Sequence, residues 1–185
     1  MPDARLSLIW LPSTSGSWPL GWAIRSSPDC YTRVFGGELV VTSVPYHCSI
    51  LEKYFWLDRG LTVRRQRRLD WLVLHHVPPS TAPGCSADES EAADLLLEYR
   101  PDYFVSGHRH QYPYLSGTNW SQRISGVLVL VPGQLLRAPF PNHIILDTDS
   151  KQASWETSNR EWIPEVGLYN HRLLVSSDGS KDCGD

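Results

Sequence analysis

Trp71-Leu72-Val73-Leu74-His75-His76-Val77-Pro78-Pro79 and Tyr103-Phe104-Val105-Ser106-Gly107-His108-Arg109-His110 decide how this chain is read. Each is a short apolar run that ends in histidines. Runs that are apolar on both faces read as strands of a sheet covered on both sides. Between them, Ser86-Ala87-Asp88-Glu89 forms a capping box, in which a serine side chain and a glutamate satisfy the first free N–H groups of a helix. Asp88, Glu89 and Glu91 suit the positive end of that helix's dipole. Ala92, Leu95, Leu96 and Tyr99 follow as an apolar stripe at helical spacing. Arg100 suits the negative end, and Pro101 stops the helix. Strand, loop, helix and strand make a βαβ unit, whose strands are parallel with a right-handed crossover. Ligands of open α/β sheets gather at the carboxyl ends of the strands. Both histidine clusters are therefore expected at one site.

Outward from this unit, Glu38-Leu39-Val40-Val41-Thr42-Ser43-Val44 is β-branched, follows the turn signal Gly36-Gly37 and ends at Pro45, which makes it a strand. Tyr46 to Trp56 reads as a short helical turn with aromatic packing. Arg64, Arg65, Arg67 and Arg68 form a basic cluster. An isolated cluster in a negatively charged chain reads as a solvated turn feeding a strand rather than a nucleic-acid contact. Gly126 to Val131 is a further buried strand. His143-Ile144-Ile145-Leu146-Asp147 and Gln152-Ala153-Ser154-Trp155 form a hairpin around Asp149-Ser150. Upstream, Leu6 to Leu11 reads as a strand, followed by irregular chain. Residues 1–30 are expected to be a poorly ordered segment, 31–175 the α/β domain and 176–185 a frayed tail.

The bulk composition narrows the class. A chain of 185 residues with 41% hydrophobic residues can bury one core. Its formal net charge of -3 supplies no global field for nucleic acid. No apolar run is long enough to span a membrane, and the amino-terminal residues lack a signal-peptide pattern. Cys30, Cys48, Cys85 and Cys183 are scattered without a C-x-x-C pair, which favours free thiols in a reducing cytoplasm.

Neutral imidazole is a common metal ligand. In extended backbone, residues i and i+2 point the same way. His108 and His110 are therefore expected to aim at one point, with Gly107 allowing close approach. Alone, H-x-H is more often a hydrogen-bonded pair at a strand end. Two clusters at adjacent strand ends shift the balance toward metal.

Leu74-His75-His76-Val77-Pro78-Pro79, the capped helix, Gly107-His108-Arg109-His110 and Val131-Pro132-Gly133-Gln134 together resemble the calcineurin-like metallophosphoesterases over roughly residues 31 to 156. The resemblance implies a metallophosphoesterase-like α/β sandwich with a mixed sheet, present in part. It implies hydrolysis of phosphomonoesters or phosphodiesters by water activated at divalent ions (manganese, iron or zinc), two in the family and one or none here. It carries over His75, His108 and His110 as metal ligands and His76 as a catalytic or phosphate-contacting neighbour, with Arg109 turned away. The family's Asp-x-His motif occurs nowhere in the chain, and no Gly-Asp or Gly-Asn-His precedes the histidine clusters. The segment in the place of the last of these reads Leu11-Pro12-Ser13-Thr14-Ser15-Gly16. Three histidines can hold one ion completed by water, but two ions need a bridging carboxylate. The alternative implied is a non-catalytic, metal-binding or partner-binding relative. Its open sheet would be covered by a second copy or a partner chain. His47 and His143 read as structural, and His171 is assigned nothing.

Overall fold

The described residues hydrogen-bond into two sheets. The computed structural model describes residues 5–9, 30–80, 85–114, 119–133, 142–148, 150–156, 173–175 and 181–182. In chain order the elements are β1 (Arg5–Ile9), β2 (Tyr31–Phe35), β3 (Leu39–Val44), α1 (Ile50–Arg67), β4 (Asp70–His75), α2 (Ala87–Tyr99), β5 (Tyr103–Ser106), β6 (Ser121–Ile124), β7 (Val127–Leu130), β8 (His143–Asp147), β9 (Gln152–Glu156), β10 (Leu173–Val175) and β11 (Lys181–Asp182).

The six-stranded sheet runs β2-β3-β4-β5-β7-β6. Its four inner strands are parallel, and its two edge strands are antiparallel to their neighbours. Val40, Val41, Trp71, Leu72, Phe104, Leu128 and Leu130 on the inner strands are buried. This explains why those strands read as continuous apolar runs rather than alternating ones. This is the α/β architecture with a mixed sheet expected from the sequence. The central βαβ unit is β4-α2-β5, with its strands parallel and adjacent.

Successive right-handed crossovers between neighbouring parallel strands place α1 and α2 on one face of this sheet. The side chains agree. Lys53 pairs with Glu91 across the two helices, and the Tyr99 hydroxyl donates to Asp58 at 2.9 Å. Tyr99 also meets Trp71 edge-on, with centroids 6.1 Å apart.

Helix α2 carries the capping box as expected. The Glu89 N–H donates to the Ser86 hydroxyl at 3.3 Å, and the Ser86 N–H donates to the Glu89 carboxylate at 2.9 Å. Arg100 closes the helix in the left-handed region at φ 46°.

Two sequence expectations need correction. Tyr46 to Trp56 is not one short helical turn: a turn at Tyr46 to Cys48 leads into α1, an 18-residue helix that starts at Ile50 with its own capping box on Ser49 and Glu52. Its apolar residues do not mark the buried face, so no helical stripe shows in the sequence. The cysteines are not all free thiols, because Cys30 and Cys48 form a disulfide. Cys30 precedes β2 and Cys48 follows β3, and the antiparallel register Tyr31↔Ser43 brings those two ends together. Cys85 is free. Among the described residues, no helix is long and apolar enough to cross a membrane.

The second sheet runs β1-β8-β9-β10-β11 and is antiparallel throughout. It contains the expected hairpin β8-β9. Trp155 on β9 stacks on Trp120 at 6.2 Å, and its indole N–H donates to the Pro132 carbonyl at 2.9 Å. By its contacts the chain forms two compact units. One comprises Ser26–Arg109 and Ser121–Val131, and the other contains the antiparallel sheet.

Candidate functional site

Three parallel strands end level with one another. The register pairs Val44 with His75 and His75 with Ser106. The loops that leave this edge carry Tyr46 and His47, then His76, then His108.

His75 is the last residue of β4 and is 2% exposed. Its ring lies 5.6 Å from that of Phe104 and 4.7 Å from that of His76. Its Nδ1 lies 3.1 Å from the Val77 carbonyl, to which it can donate, while the Val77 N–H approaches the same atom at 3.3 Å. The shorter contact favours the Nδ1–H tautomer, which leaves the lone pair on Nε2. That Nε2 is buried and has no protein partner. Burial drives the His75 pKa down to about 3, helped by the neighbouring His76 and opposed by the Val77 bond. The imidazole is therefore neutral at physiological pH, the form that binds metal.

His76 lies nearer the surface. Its Nε2 stands 3.6 Å from the Asp88 carboxylate, and its Nδ1 is buried without a partner. Its pKa is also lowered, by burial first and then by the Lys53 ammonium, against the pull of Asp88. The His108 ring lies 6.4 Å from that of His76. His75, His76 and His108 thus form a row of imidazoles along the carboxyl edge.

The structure corrects the geometry expected for His108 and His110. Strand β5 stops at Ser106, and His108 has φ 62°. The Arg109 N–H donates back to the Gly107 carbonyl at 2.7 Å. This tight left-handed turn replaces the extended backbone on which the i, i+2 argument rests. His108 is exposed, and His110 falls in the other compact unit. There Gly133 packs so closely that a Cβ on it would lie 2.8 Å from the His110 carbonyl oxygen. Arg109 turns to α2, where its Nε donates to Glu89 at 2.9 Å.

The aspartates that could serve as further ligands have structural partners where they are described. Asp58 accepts from Tyr99, and Asp102 accepts from Arg64 and from the Trp71 N–H. Asp147 accepts from the Ser150 N–H. Asp29, Asp149, Gln134, His171 and the segment Leu11 to Gly16 lie outside the described residues. Among the described residues, no three His, Cys, Asp or Glu side chains form a metal-holding group. The orphaned His75 Nε2 fits contact with one Lewis acid. The row does not fit two ions, because the carboxylate beside it, Asp88, faces the His76 Nε2 rather than bridging the imidazoles.

Sequence reasoning missed Tyr46 and Lys53. Tyr46 is exposed and its ring lies 5.8 Å from that of His76. Lys53 is buried on α1. The signal for both was the Ser49-x-x-Glu52 capping box, which announces a helix and so places them at the carboxyl edge.

The family model of the calcineurin-like phosphoesterases matches residues 8–112, more than half of the chain, and the chain belongs to that family. The match takes in both histidine clusters. No curated protein matches the sequence. Among solved structures, the chain is similar to TT1561 of Thermus thermophilus, at 14% identity and a TM-score of 0.44, over 69% of this chain and 57% of that one. It is also similar to a single mutant of Vps29 from Entamoeba histolytica, at 14% identity and a TM-score of 0.36, over 93% and 99% of the two chains. The chain thus spans little more than half the length of TT1561.

Proposed function

We propose that this chain carries the histidine part of a metal-dependent phosphoesterase site. In this reading one divalent ion is held by His75 and His108, with water completing its coordination, and His76 faces the phosphoester. The single observation that supports it best is the His75 Nε2, a buried lone pair without a protein partner at the carboxyl end of an inner strand. A bound divalent ion would polarise the phosphoryl oxygen and lower the pKa of a bound water. The chain's own contribution is to fix the His75 tautomer through Val77, keep both rings neutral and exclude water from one side of His75. Hydrolysis through two ions needs a bridging carboxylate, which the described imidazoles do not have.

A second reading, a non-catalytic relative that binds an ion or a partner, is favoured by one further observation. Asp58 and Asp102 serve structural hydrogen bonds instead of facing the histidines.

Metal content per chain, measured on the purified protein and on His75→Ala and His108→Ala, tests the proposal together with hydrolysis of bis(p-nitrophenyl) phosphate. One ion, lost in both variants, is the expected result, with hydrolysis weak or nil. Two ions with hydrolysis would show that carboxylates elsewhere in the chain complete the site. No ion in the parent protein would overturn the metal reading.

A further inference from the structure

Tyr46 is 72% exposed although it is a large aromatic at the rim of the imidazole row. It lies 5.8 Å from the His76 ring at an interplanar angle of 55°, and 5.5 Å from the His47 ring at 86°. Both contacts are edge or tilted contacts rather than stacked ones, and they leave most of the residue exposed. A single exposed aromatic needs no explanation by itself; its place beside His76 at the rim of the imidazole row is what matters.

The turn that carries Tyr46 is held on three sides. The Cys48 N–H donates to the Pro45 carbonyl at 3.2 Å. The Cys48 sulfur is bonded to Cys30 at the start of β2. Ser49, the next residue, is locked into the capping box of α1, with its N–H donating to Glu52 at 2.8 Å. A side chain shown to solvent from so constrained a turn loses little entropy when a ligand stacks on it. Leu51 and Phe55 on the first turns of α1 are also exposed, at 78% and 58%.

We propose that Tyr46 is a specificity-determining residue that stacks on an aromatic leaving group, so that the site takes aryl or nucleoside phosphoesters in preference to alkyl ones. This rests on the phosphoester reading above, and it names the substrate class for the same site. The phosphoryl group lies toward His76, and the aromatic ring lies over Tyr46.

Binding rather than turnover tests the proposal, because aryl esters react faster for electronic reasons alone. The probes are phenylphosphonate and methylphosphonate, titrated calorimetrically into the full chain with manganese present. Phenylphosphonate should bind about tenfold tighter, in line with the usual contribution of one base–aromatic stack. Tyr46→Phe should keep that preference. Tyr46→Ala should abolish it, leaving the two probes with equal affinity, and an unchanged melting temperature would show that the variant is folded. Equal binding of the two probes to the parent protein, or a preference that survives Tyr46→Ala, overturns this proposal and leaves the phosphoester reading standing. Binding of neither probe overturns both.

Discussion

Helices α1 and α2 begin on the same device and end on the same device. Each opens with a Ser-x-x-Glu capping box, and each closes on an arginine in the left-handed region, Arg68 at φ 56° and Arg100 at φ 46°. They differ in what they bury. Helix α2 presents Ala92, Ala93, Leu95, Leu96 and Tyr99 inward. Helix α1 buries Lys53, Leu57 and Gly60 and leaves Ile50, Leu51 and Phe55 exposed. One helix is held by an apolar stripe, and the other by a close approach and an ion pair. The two modes of attachment should fail differently when they are perturbed.

The largest effect is expected at the ion pair between the helices. Glu91→Ala strands the Lys53 ammonium in a site where it is almost fully buried. It should cost about 3 kcal/mol, the low end for breaking a buried pair because Glu91 is 31% exposed. Lys53→Met removes the stranded charge and should cost less. Urea unfolding of both variants measures the difference, and equal stabilities would show that α1 is not anchored through this pair.

Next comes Gly60. A Cβ there would lie 2.8 Å from the Trp71 ring and closer still to the Thr42 hydroxyl, which accepts the Trp71 indole N–H at 3.0 Å. Gly60→Ala gains about 1 kcal/mol of helix propensity. Overpacking should outweigh that gain and leave a net loss of about 1–2 kcal/mol. A rise in melting temperature would refute the close approach.

On α2, Ser86→Ala should cost about 1 kcal/mol, as loss of an N-cap usually does. It should also speed amide exchange at Glu89, whose N–H it frees. Glu89 gives the same end of the helix a pH dependence. Burial pushes its carboxyl up, but the bonds from Ser86 and the Arg109 guanidinium outweigh that and hold its pKa below the ordinary value. A depressed carboxylate contributes stability above its unfolded pKa, and that contribution is lost as pH falls through the folded value. Acid titration of the parent chain against Glu89→Gln should therefore show a smaller acid-side loss in the variant. Identical profiles would remove Glu89 from the acid response.

The smallest effect is expected on the exposed face of α1. Leu51→Ser should change stability by no more than about 0.5 kcal/mol. A larger loss would mean that this face is covered.

Legibility followed the same division. Helix α2 was readable because its stripe, cap and Pro101 all agree, and its flanking strands were readable because inner parallel strands are apolar throughout. Helix α1 was not, because a glycine at a close approach and a paired lysine carry no hydrophobic period. The edge strands β2 and β6 escaped for a related reason, since half-exposed edges lack a strong apolar signal. His75 and His76 were rightly placed at a strand end. Their unequal burial arises because β4 ends at His75 while His76 lies in the loop beyond it, a boundary that only the structure shows.

The sequence alone determined the βαβ unit, its parallel strands, the β8-β9 hairpin and the presence of histidines at two strand ends. Those features rest on local capping, periodicity and chain stops, which act within a few residues. Tertiary structure alone decided the disulfide between Cys30 and Cys48, the left-handed turn at His108, the neutral buried state of His75 and the exposure of Tyr46. Each of these depends on strand order and register, which bring together residues that are distant in the chain or bend those that are adjacent.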